Sequence, residues 1–184
     1  MADQRADARR NYARVLSVAE EEVATHGAGA SLEQIARVAG VGSATVRRHF
    51  PTRRALLEAV SHHRIAALCA RAEELLASND SRAALLDWLG DVVAYCVTAR
   101  GLAEAIAYDG DTHKNSCSAA LEEAAGPLLH RAAEDGAVTA GVTVEDLITF
   151  AVGISQATAY YPDPAARADH LLQLTITGLS PQPA

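Results

Sequence analysis

The sequence predicts an all-α fold. Apolar residues return at steps of three and four along almost the whole chain, no stretch sustains the alternation of a half-buried strand, and the helical patterns are separated by glycine, proline and short polar breaks. At 184 residues the chain is long enough for a small head, placed at residues 1–54, and a larger helical body, placed at residues 55–184. About nine helices are expected.

The first helix is expected from about Arg9 to His26, where Tyr12, Val15, Leu16, Ala19 and Val23 share one stripe and Gly27 and Gly29 end it. Ser31 is positioned to cap a short second helix, with Gln34 completing a capping box and Leu32, Ile35, Ala36 and Ala39 forming the apolar face. After Gly40-Val41-Gly42, Ser43 is expected to cap a third helix of about two turns, which Pro51 cannot continue because it lacks an N–H and restricts the residue before it. Val46 and Phe50, four apart, point inward.

A fourth helix opens near Thr52 and continues to about Ala77, with Leu56, Val60, Ile65, Leu68, Ala72 and Leu75 along it, so the head passes into the body within this helix. Ser78-Asn79-Asp80 is a polar break. Leu85, Trp88, Leu89, Val92, Val93 and Cys96 then form a buried stripe that Gly101 stops, and Tyr108 to Asp111 reads as a loop. Cys117 to Glu134 is helical, with a kink expected at Gly126-Pro127. The last two helices are expected over Thr143 to Tyr160 and Pro164 to Leu179. The first of these carries Leu147, Phe150, Ala151 and Ile154 on one face and Val144, Ile148, Val152 and Ser155 on another, the pattern of a helix buried all round.

Several function classes find no support. No apolar run approaches the roughly eighteen residues of a membrane span, and the opening MADQRADARR lacks the apolar centre of a secretory signal, so a soluble, cytoplasmic protein is expected. Cys69, Cys96 and Cys117 are far apart and odd in number, against both a disulfide framework and a zinc ribbon. His62 and His63 are separated by about 100 degrees of helix rotation, and His113 with Cys117 offers only two ligands, so neither a metal nor a cofactor is expected. No nucleophile with a base at working spacing, no glycine-rich phosphate loop and no paired acids occur, which disfavours an enzyme.

A net charge of −7 argues at first against nucleic acid, but the average hides an asymmetry. Residues 1–54 hold nine arginines against six acids, for +3, whereas residues 55–184 carry −10. Five of the nine arginines fall in residues 31–60, SLEQIARVAGVGSATVRRHFPTRRALLEAV, which combine a capped helix, a glycine-containing turn and a second short helix, the layout that sets a recognition helix into a major groove. With Val46 and Phe50 turned inward, Ser43, Ala44, Thr45, Arg47, Arg48 and His49 are left to face solvent or DNA. No acid occurs between Gln34 and Arg54, where a carboxylate would repel phosphates.

The ordered run GVGSATVRRHFPTRRALLEAV resembles the DNA-binding domain of the TetR family of one-component helix-turn-helix repressors, over about residues 9–60. The resemblance implies that Ser43, Thr45, Arg47 and His49 line the groove and that Ser31 and Arg53 meet phosphates at helix ends. Arg47 stands where the family usually has a tyrosine, and its guanidinium fork suits the two acceptors of a guanine edge. The resemblance further implies a homodimer through residues 143–179, a palindromic double-stranded operator and a small-molecule effector, with a pocket near Trp88, Tyr95, Cys96, Tyr108 and Leu128. Two other readings fit the same residues: a helical small-molecule binding protein without DNA affinity, and an activator with the same head.

Overall fold

The helical periodicity resolves into elements whose ends are set by a few caps. A computed structural model describes residues 2–99 and 114–177, and among these are eight α-helices, one 3-10 turn at Gly27–Gly29 and no strand. The helices are α1 (Ala2–His26), α2 (Leu32–Val38), α3 (Ser43–His49), α4 (Arg53–Leu75), α5 (Ser81–Thr98), α6 (Lys114–Glu134), α7 (Val144–Ala157) and α8 (Pro164–Thr177). The expected stop at Gly101 and the expected loop at Tyr108 to Asp111 lie outside the described residues. Two compact units result, one of residues 2–63 with Ala99 and one of residues 64–98 with 114–177; the division falls inside α4.

In the first unit, α1 begins at Ala2, before its apolar stripe, because its polar opening residues contain no glycine or proline to interrupt a helix. Val15, Leu16, Ala19 and Val23 of α1 pack with Ile35, Ala36, Val46, Phe50, Leu56, Leu57 and Val60 in one buried cluster. Each large aliphatic side chain so buried contributes about 1.5 to 3 kcal/mol. Tyr12, expected in the α1 stripe, is instead 38% exposed at the edge of this cluster.

Local hydrogen bonds fix the turn between α2 and α3. Ser31 Oγ accepts the Gln34 N–H at 3.2 Å, but the other half of the expected capping box comes from elsewhere: the Ser31 N–H donates to Glu22 Oε1 on α1 at 3.3 Å, while the Gln34 side chain accepts from Arg37. Gly40, at φ +63°, ends α2 in the left-handed conformation, with Gly40 N–H to Arg37 O (3.2 Å) and Val41 N–H to Ala36 O (3.0 Å) closing a Schellman turn. Ser43 does not cap α3. Gly42 holds the extended cap conformation and its carbonyl accepts the Thr45 N–H at 2.8 Å, so Ser43 is already helical. Phe50 leaves helical geometry just before Pro51, as residues preceding proline do, and Thr52 Oγ1 accepts the Ala55 N–H at 3.1 Å to start α4.

In the second unit α5 is the central helix, packing against α6, α7 and α8 through Ala84, Leu85, Trp88, Leu89, Val92 and Val93. Asp80 caps it by accepting the Ala83 N–H at 2.8 Å. Arg131 of α6 donates to the carbonyls of Leu76 and Ser78, satisfying oxygens at the end of α4. α6 passes through Gly126-Pro127 as one helix. Thr143 and Asp146 form a full capping box at α7, and Asp163 caps α8 just before Pro164. Among the described residues α7 is not buried all round: Val144, Ala151, Ile154 and Ser155 are buried and Ile148 is half-buried, but Val152, expected on the second apolar face, is exposed with Thr149, Gly153 and Gln156, and no described element covers this band. No helix among the described residues is long and apolar enough to cross a membrane.

Candidate nucleic-acid interface

α3 separates its residues by helical rotation. Val46 and Phe50 lock it to the core, and on the opposite side Ser43, Ala44, Arg47 and Arg48 are exposed. Thr45 and His49 were expected to face outward with them, yet both are half-buried. Helix rotation alone does not separate them from Ser43 and Arg47, which flank the 46 and 50 stripe on its other side and stay exposed; for His49 the difference is the neighbour, since Tyr12 of α1 packs against it. The His49 ring packs 5.4 Å from that of Tyr12 in an edge contact and 6.3 Å from that of Phe50.

The charge pattern follows from these placements. Arg53, the first residue of α4, and Arg48 are exposed and have no ion pair among the described residues. Arg54 Nε is held by Glu58 Oε1 at 2.7 Å, one turn along α4. Arg47 Nη2 donates to Glu33 Oε1 at 2.7 Å, and this guanidinium holds the Glu33 carboxyl below its ordinary range. The sequence reading missed Glu33 because it lies one residue outside the acid-free window and meets Arg47 only through the folded turn. Ser31 Oγ is committed to capping α2 and is half-buried.

Residues 15–60 match the family model for bacterial regulatory proteins of the tetR family, and residues 80–181 match that for the C-terminal domain of SbtR-like transcriptional regulators. The TetR transcriptional regulator SCO0520 from Streptomyces coelicolor is 31% identical, covering 92% of this chain and 98% of that one, with a TM-score of 0.74. A TetR transcription regulatory protein from Mycobacterium vanbaalenii is 34% identical, covering 96% of this chain and 98% of that one, with a TM-score of 0.73. This chain belongs to the TetR family of transcriptional regulators. Its first unit is thus the helix-turn-helix domain of that family. The Bacillus subtilis regulator FadR, solved in complex with stearoyl-CoA, shares the fold at 17% identity, with 92% of this chain and 100% of that one covered and a TM-score of 0.53. None of the curated proteins matches the chain.

In this TetR-family chain the second unit has a groove of about 410 Å³ between α4 and α6, lined by Cys69, Glu73, Leu76, Ala120, Glu123, Ala124 and Pro127. The pocket residues expected from the sequence lie elsewhere. Trp88 and Leu128 are wholly buried in the core, and the Trp88 Nε1–H is spent on the Leu68 carbonyl at 3.1 Å. Tyr95 and Cys96 are half-buried near the end of α5, and Tyr108 lies outside the described residues. The groove gave no signal in the sequence, since its lining comes from residues of mixed chemistry on two helices far apart along the chain.

Proposed function

We propose that this TetR-family protein is a ligand-responsive repressor in the cytoplasm that binds a palindromic operator as a homodimer, acting by binding and not by catalysis. Residues 1–54 supply the DNA contacts and residues 55–184 the dimer seam and effector site. The observation that carries the reading is α3: a short helix anchored by Val46 and Phe50 that presents Ser43, Ala44, Arg47 and Arg48 outward, with Thr45 and His49 on its flank and Arg53 just beyond. Arg47 reads a base edge, whereas Ser31, Arg48 and Arg53 meet phosphates.

The exposed band of Thr149, Val152, Gly153 and Gln156 on α7 supports a seam with a second copy, since small and apolar residues there let another helix approach closely. Two-fold pairing sets the α3 helices into half-sites about 34 to 36 Å apart. A small molecule that prefers a body conformation with differently spaced heads releases the operator, to the extent of its differential affinity. That FadR was solved with stearoyl-CoA supports a small-molecule effector but not its identity; the helical body around Trp88, Tyr95, Cys96, Tyr108 and Leu128 is where this reading seats it.

The test is operator selection from random duplex DNA, followed by gel shift at two salt concentrations. Binding that falls steeply with added salt is expected. Arg47→Ala costs about 1 to 3 kcal/mol and relaxes one operator position, while Arg53→Ala weakens all sequences alike. No binding at low salt, or a monomer in sedimentation at micromolar concentration, overturns the reading.

A further inference from the structure

Resting on the DNA-binding reading above, we infer that Glu33 is a specificity-determining residue: its carboxylate buttresses Arg47 so that the remaining guanidinium N–H groups are presented in fixed orientation to a guanine edge.

Glu33 is conspicuous by its place. It lies in the first turn of α2, yet its Oε1 receives Arg47 Nη2 of the recognition helix at 2.7 Å, across fourteen positions of sequence. Its other oxygen lies 3.5 Å from Ser31 Oγ, the hydroxyl that caps α2, so the carboxylate sits beside a side chain that is itself fixed by the cap. The arginine therefore extends from α3 to an anchor on a different helix.

Fold stability does not explain the pair. The side chains of Arg47 and Glu33 are 63% and 66% exposed, and ion pairs in that setting contribute little to folding. The carboxylate is also costly for general DNA affinity, because it stands beside a basic surface where it repels phosphates unless it is neutralised. An acid in the first turn of α2 suits the helix dipole, but that role does not need the reach to Arg47, and selectivity is the property on which the contact with the recognition helix can act.

The chemistry of the fork supplies that effect. A guanidinium has five N–H donors in one plane, and Glu33 takes a single one of them. The others remain for O6 and N7 of guanine, the pairing that sets arginine readout. A free arginine gives up rotamer freedom when it docks and can swing to a phosphate on any sequence; a buttressed one is already ordered and is restrained from that swing. Removing Glu33 therefore frees Arg47 to act as a non-specific cation.

The experiment uses the full-length chain. Operators are enriched from a random duplex pool with wild type, Glu33→Ala, Glu33→Gln, Arg47→Ala and the double variant Glu33→Ala/Arg47→Ala, and each protein is then titrated against the wild-type operator and a scrambled duplex. Glu33→Ala is expected to lower the operator-to-scrambled affinity ratio about tenfold, with no loss on scrambled DNA, and to flatten the same base position as Arg47→Ala. Glu33→Gln, which keeps an acceptor oxygen, falls between. In the Arg47→Ala background Glu33→Ala changes the ratio no further. The inference is overturned if Glu33→Ala enriches the wild-type operator unchanged, or if it binds that operator more tightly with the ratio kept, the mark of a carboxylate that merely competes with DNA. If wild type itself enriches nothing and shows no salt-dependent binding, the DNA-binding reading fails and takes this one with it. Unchanged thermal unfolding of the Glu33 variants separates these outcomes from loss of fold.

Discussion

The ring of Tyr12 meets the ring of His49 edge to face, with centroids 5.4 Å apart and planes inclined by 70°. Tyr12 also lies 5.8 Å from Phe50, so one residue of α1 fastens the C-terminal end of α3 from outside the core. Aromatic contacts of this kind contribute about 0.5 to 1.5 kcal/mol each beyond area burial. Tyr12→Ala is therefore expected to destabilise the protein by about 1 to 2 kcal/mol and to weaken operator binding beyond that, because α3 loses its outer clamp. Tyr12→Phe retains the ring and stays close to wild type. Urea unfolding with gel shift on the same variants checks this, and a Tyr12→Ala protein as stable as wild type would refute the clamp.

This contact also marks where sequence reasoning stops. The stripes at Val15, Leu16, Ala19 and Val23, at Ile35 and Ala36, and at Val46 with Phe50 were legible because each is a local period of the chain, and all are buried. The Gly40 stop was legible because only a residue tolerant of positive φ suits that turn. What stayed hidden was the partner across space: Glu22 completing the cap at Ser31, Glu33 reaching Arg47, Arg131 closing the end of α4. Periodicity says which face a side chain occupies but not which helix it meets. The half-buried state of Thr45 and His49 belongs to the same class, as the outward side of α3 was read correctly and the width of its buried stripe was not.

Trp88 is the chain's single tryptophan, fully buried, with its indole N–H on the Leu68 carbonyl. Its fluorescence is expected to be blue-shifted and poorly quenched by acrylamide in the native protein, moving red on unfolding of the second unit. Trp88→Phe removes both volume and a hydrogen bond, costing about 2 to 3 kcal/mol. Native emission already resembling that of free tryptophan would contradict the burial.

Burial pushes the Cys96 thiol up to about 11 from an ordinary value of 9.0. The folded state therefore favours the neutral thiol, and this contribution to stability is fully present below about pH 9 and lost as the pH rises through about 11. Two consequences are measurable. Native Cys96 should alkylate far more slowly at pH 8 than in the denatured chain, since the thiolate is the nucleophile. Stability should also fall between pH 9 and 11, by on the order of 2 kcal/mol, and Cys96→Ala should remove that part of the fall. Peptide mapping that finds Cys96 labelled as fast in the native protein as in urea would rule out both.

At the start of α7, Thr143 Oγ1 accepts the Asp146 N–H at 3.1 Å and Asp146 Oδ2 accepts the Thr143 N–H at 2.9 Å. The Thr143 hydroxyl, foremost, and its amide hold the Asp146 carboxyl below its ordinary value of 3.8. Because that shift is downward, the stability linked to it is present above the ordinary value and is lost on acidification through the lowered one. Thr143→Ala should cost about 1 kcal/mol at neutral pH by removing the cap. The same substitution should also make unfolding less sensitive to pH below 4, since Asp146 then keeps only the bond from the residue 143 amide and loses the larger one from the hydroxyl. Guanidinium unfolding of wild type and Thr143→Ala at pH 7 and at pH 3 compares the two: a gap that narrows on acidification is the expected result. A gap equally wide at both pH values would mean that the hydroxyl acts on the backbone alone and the Asp146 half of the box contributes nothing.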